Sequence, residues 1–161
     1  MKKILLVSAA LVVLSSVFAM AAPTMVNSAS HEVNIQVMEI HNIAIIGGNV
    51  GLVIEAATAG QDPDPVSDSH TALSYTINSN AAKKITAQLD KAYPEGVTLQ
   101  VAVKADGSTG QQKLSPEAVD VVSGLAKIAN PNAPLTYTAS ATAGAGELNE
   151  TRTVTYTIVE K

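Results

Sequence analysis

Three adjacent residues, Asp68-Ser69-His70, carry the side-chain types of a serine-hydrolase triad: a carboxylate, a hydroxyl and an imidazole. Successive side chains diverge, whereas working triads are assembled from distant segments, and the chain has no G-x-S-x-G nucleophile elbow. The trio therefore reads as the polar end of a loop. Asp62, Asp64 and Asp68 share that loop and offer the oxygen ligands a hard cation such as Ca²⁺ prefers. Their spacing lacks the turn glycine and the bidentate Glu of an EF-hand, and Asp-Pro pairs are ordinary loop chemistry. His31, His41 and His70 are dispersed, without a metal-ligand spacing such as H-x-x-x-H. Gly47-Gly48-Asn49-Val50-Gly51 resembles a phosphate loop only in composition, because a dinucleotide fingerprint needs a helix after it and a strand is expected here. Asn149-Glu150-Thr151 is formally a glycosylation sequon, but the bacterial style of the N-terminal leader lowers its weight. Tyr75, Tyr137 and Tyr156 sit on apolar strand faces, where packing is the expected role rather than a sugar-stacking platform. The expectation is a chain with no catalytic, cofactor or metal site, and so not an enzyme.

The elements that position these residues are strands. Apolar residues recur at every second position, the period of a half-buried strand: Val33, Ile35 and Val37, then Ile43 and Ile45, with a bulge expected at Met38-Glu39. Gly47-Gly48-Asn49 predicts a turn, and Val50, Leu52 and Ile54 a return strand. Thr58 to Ser69, with Gly60, Pro63, Pro65 and three Asp, reads as a loop. The alternation resumes at Leu73, Tyr75 and Ile77; at Ile85, Ala87 and Leu89; and at Val97, Leu99, Val101 and Val103. Leu135, Tyr137, Ala139 and Ala141 form another set, and Val154, Tyr156 and Ile158 the last. Thr136, Thr138, Thr153, Thr155 and Thr157 occupy the opposite parity, as suits the wet face of an antiparallel sheet. For Ser115 to Ala129, a strand, or a short helical turn feeding one, is favoured over a helix. Val119, Val121 and Val122 are β-branched and Gly124 follows, although Ser115-Pro116 has the form of a helix start. The predicted fold is all-β: an immunoglobulin-like antiparallel β-sandwich of about seven to nine strands.

At the N-terminus, Met1-Lys2-Lys3, the apolar run Ile4 to Phe18 and Ala19-Met20-Ala21 have the form of a secretory signal peptide, residues 1–21, cleaved before Ala22. The run is too short for a membrane span, and no later segment is apolar enough for one. Residues 22–32 read as a flexible lead and 33–161 as the domain. Cleavage removes two of the ten basic residues and none of the fourteen acidic ones, so the net charge falls below −4. An acidic surface without basic clusters argues against nucleic acid. With no Cys, no Trp and one Phe, which lies in the leader, the core must be built from Val, Ile, Leu, Ala and Tyr.

The leader, the β-like segment His31 to Ile46, the Thr- and Ala-rich strand Leu135 to Ala141 and the closing Thr153 to Val159 resemble the small all-β subunits of bacterial extracellular fibres. They are closest in style to pilins assembled by donor-strand exchange that lack the usual disulfide. The resemblance implies an exported structural subunit of a filament or surface matrix that polymerises with itself by β-strand addition. It also implies dealings with an assembly chaperone or an outer-membrane secretion partner. Val33, Ile35 and Val37 are then the expected donor strand. The competing expectation is a long first strand whose bulge switches between the two sheets of its own sandwich. The alternative function is a monomeric periplasmic or cell-surface immunoglobulin-like module that binds carbohydrate or protein.

Overall fold

The computed structural model describes residues 27–161, so the leader expected at 1–21 lies outside the described residues. The chain divides into two units, residues 1–36 and 37–161. In the first, residues 27–36 are exposed and have no regular secondary structure. The second holds every described strand. These are β1 (His41–Ile46), β2 (Val66–Asp68), β3 (Ala72–Ile77), β4 (Lys83–Leu89), β5 (Val97–Val103), β6 (Gln112–Lys113), β7 (Val119–Leu125), β8 (Ile128–Ala141) and β9 (Val154–Glu160). There is no α-helix among the described residues, and no helix there is long and apolar enough to cross a membrane.

The strands form an antiparallel β-sandwich. One sheet has the order β1-β3-β8-β5-β6, with β2 also on β8; the other has the order β7-β4-β9. β8 is long because it serves two neighbours in turn. Ile128 to Pro134 pairs with β3, and Leu135 to Ala141 pairs with β5. The core between the sheets is drawn from single parities: Leu73, Tyr75 and Ile77 of β3, Ile85, Ala87 and Leu89 of β4, and Leu99, Val101 and Val103 of β5. Leu135 and Tyr137 of β8 complete it on the same parity. Thr153, Thr155 and Thr157 point to solvent, as their parity predicts. In β7 the register shifts twice against β4, which lets Val121 and Val122 both be buried although they are neighbours in sequence.

Alternation identified the faces better than the partners. Gly47 and Gly48 have the left-handed φ expected of a turn, +103° and +81°. Yet Val50, Leu52 and Ile54 form no strand; Val50 and Leu52 pack half-buried against the core without joining a ladder. Their expected partner, β1, is paired with β3 instead, from His41 opposite Ile77 to Ile46 opposite Ala72. The Thr58–Ser69 loop contains a strand, because β2 finds the edge of β8 and pairs Val66 with Ala139 and Asp68 with Tyr137. The bulge expected at Met38-Glu39 does not form, since no strand precedes His41. Residues 119–125 are strand, as favoured, and β8 begins seven residues before Leu135 despite Pro131 and Pro134.

Candidate functional site

The residues with chemical potential fall into separate local pairs. Asp68 does meet His70, two positions along the chain. Asp68 Oδ1 accepts from the His70 backbone N–H at 3.0 Å and lies 2.5 Å from His70 Nδ1. The backbone hydrogen bond first, and the imidazole second, hold the Asp68 carboxyl below the usual carboxylate range. Ser69 is not part of this pair, so a turn motif results rather than a triad. Asp62 Oδ1 accepts from the Ala143 backbone N–H at 2.9 Å, fastening its loop to the segment after β8. Asp62 and Asp68 are thus used for different structural bonds. No group of three or more His, Asp or Glu residues is placed to hold a metal among the described residues. His41 lies 3.1 Å from Glu39, far from the Asp68–His70 turn in sequence and partnered separately.

Tyr75, Tyr137 and Tyr156 each make a hydrogen bond within the sandwich. The Tyr137 hydroxyl on β8 and the Tyr156 hydroxyl on β9 are 2.8 Å apart, so one hydrogen bond ties the two sheets together. Burial pushes both phenols up and keeps them neutral. The Tyr75 hydroxyl accepts from Asn130 Nδ2 at 3.3 Å.

What is unusual is where the large apolar side chains are left. Val33, Ile35 and Val37 are 71%, 81% and 73% exposed, and none lies in a strand. Ile40 is also exposed, as are Ile45 and Ile46 on β1. At the start of the second unit, Met38 and Ile40 are held by Asn78. Asn78 Nδ2 donates to the Met38 carbonyl at 2.7 Å, Asn78 Oδ1 accepts from Ile40 N–H at 2.5 Å, and Asn78 N–H donates to the Ile40 carbonyl at 3.2 Å. Beside it, Lys83 is only 4% exposed but brings its ammonium to Glu160 and, at 3.4 Å, to Glu39. Its stem is covered while its charge reaches two surface carboxylates. The bond to Glu160, with both carboxylates nearby, raises the Lys83 pKa; the Ser79 hydroxyl and then Lys83 lower that of Glu39.

The chain matches no protein-family model, no curated protein and no solved structure.

The edges of the sandwich differ in how far they are paired. β9 pairs with β4 over seven consecutive residues without a bulge, and with no second strand among the described residues. β9 also lies close to β1, the terminal strand of the other sheet. The alternation that marked Val33, Ile35 and Val37 was legible in the sequence. The open β9 edge was not, because neighbour number cannot be read from a strand's own residues.

Proposed function

We propose that this protein is an exported structural subunit that assembles with copies of itself by β-strand addition, without catalytic activity. The donated element is the N-terminal segment carrying Val33, Ile35 and Val37. The observation that carries this reading is the combination of strand periodicity with exposure: three large aliphatic side chains at every second position, all more than two-thirds exposed, in no strand of their own chain. Burying one such side chain is worth about 1.5–3 kcal/mol, so leaving three in water is costly unless another surface covers them. Strand addition covers them and supplies main-chain hydrogen bonds at the same time. The acidic net charge and the absence of Cys suit a chain held together by packing and ladders rather than by disulfides or polyanions.

The test compares chains starting at Ala22 and at Val37, with Ile35→Asp as a full-length companion, by sedimentation and negative-stain microscopy. The full chain should form fibres, and both altered chains should remain small. Fibres from the truncated chain, or a full chain that stays monomeric at every concentration, would overturn the reading.

A further inference from the structure

We infer that the acceptor for this segment is the free edge of β9 in a second copy of the chain, a step that rests on the donation reading above. Each other edge is short, covered or poorly built. β6 has two residues and β2 three. The early part of β8 carries Pro131, which has no N–H to contribute. The outer side of β7 is occupied by the preceding loop: Ser123 N–H donates to the Gly107 carbonyl at 2.8 Å and Thr109 N–H to the Val121 carbonyl at 3.1 Å. β1 is six residues long, but only Ile43 is half-buried and the other five are exposed, so little of a groove lies beneath it.

β9 is different on two counts. Asp90 N–H donates to the Thr153 carbonyl and Lys161 N–H to the Ala82 carbonyl, which fixes the odd-numbered residues as those bonded to the β4 side. By the alternation of an antiparallel ladder, the N–H and C=O groups of Val154, Tyr156, Ile158 and Glu160 then point to the free side. Val154, Tyr156 and Ile158 also face the core with their side chains, yet all three are only half-buried. One edge therefore offers a row of main-chain groups that join no ladder among the described residues, above an incompletely covered apolar floor. A strand with apolar residues at every second position would pair with the first and cover the second, as Val33, Ile35 and Val37 can. The Glu39–Lys83–Glu160 cluster sits at the C-terminal end of this edge.

The absence of Cys makes the assignment directly testable by engineered disulfides in the full chain. Asn34→Cys in one population is mixed with Thr153→Cys, Thr155→Cys or Thr157→Cys in another, each on the solvent parity of its segment. Asn42→Cys and Ala44→Cys serve as the β1 comparison. Mixtures are assembled, oxidised and run without reductant, with circular dichroism confirming that each variant is folded. A two-chain product with one or more β9 variants, and none with the β1 variants, is the expected result. Cross-linking to β1, or fibres that form without cross-linking to β9, would overturn the acceptor assignment and leave donation standing. Failure of the unmodified chain to assemble would instead sink donation itself. In a chain carrying both cysteines, a disulfide confined to single chains would show self-insertion and exclude the second copy as occupant.

Discussion

At the scale of single residues, two polar arrangements do work that their sequence positions do not announce. The Tyr137–Tyr156 hydrogen bond joins residues of opposite sheets inside a largely apolar core. Replacing either by Phe leaves the other hydroxyl buried and less well satisfied, so each single variant should lose about 1–3 kcal/mol in urea unfolding. The double Phe variant should lose less than the two singles combined, because no orphan hydroxyl remains; additive losses would show that the bond contributes nothing specific. Glu39 is the second case. Its pKa is lowered in the folded chain, so the stabilisation it brings is full above the ordinary carboxylate range and disappears as pH falls through the lowered value. Glu39→Gln should therefore melt below the parent at pH 7, and the gap should close in acid. A gap that is constant from pH 7 to pH 3 would remove Glu39 from the account. Lys83 has the opposite sign: its raised pKa makes its contribution full below the ordinary lysine range and lost only as pH rises through the raised value.

At the scale of elements, the loop that covers β7 depends on one backbone position. Gly107 has φ +77°, and a Cβ there would stand 2.0 Å from the Ser123 carbonyl oxygen, which belongs to the strand being covered. Gly107→Ala meets a left-handed penalty of about 1–2 kcal/mol before the clash is counted. The variant should unfold at lower denaturant than the parent, whereas Gly110→Ala, also at positive φ but with nothing within 4 Å, should show only the smaller conformational cost. Equal shifts would mean that the close approach to β7 does not matter. This element also shows how far local reading reaches. The β-branched Val119, Val121 and Val122 indicated a strand, but its double register shift, and so the burial of two adjacent valines, depends on how β4 lies beside it.

At the scale of the whole molecule, every described strand belongs to residues 37–161. Deleting residues 22–36 should leave the far-ultraviolet circular dichroism and the thermal midpoint of the monomer close to those of unassembled parent. A truncated chain that is unfolded would instead favour a long first strand integral to the sandwich. Assembled parent should melt higher than either, since binding that requires the folded state stabilises it by mass action.

The sequence by itself determined which face turns inward in the regularly alternating strands β3, β4 and β5. Leu99 and Val101, in the most regular alternation, are buried, and Thr155 and Thr157 are exposed, because side-chain parity is a property of consecutive residues. It also determined the positive φ at Gly47 and Gly48. Only the tertiary structure decided who pairs with whom. β1 passes over the adjacent Val50–Ile54 segment to join β3, and a piece of the Asp-Pro loop becomes β2 because β8 offers it an edge. Pairing is a competition among all edges at once, and its outcome depends on how much apolar surface each arrangement buries across the whole chain. For the same reason, the half-covered β9 edge emerges only when every other strand has found its place.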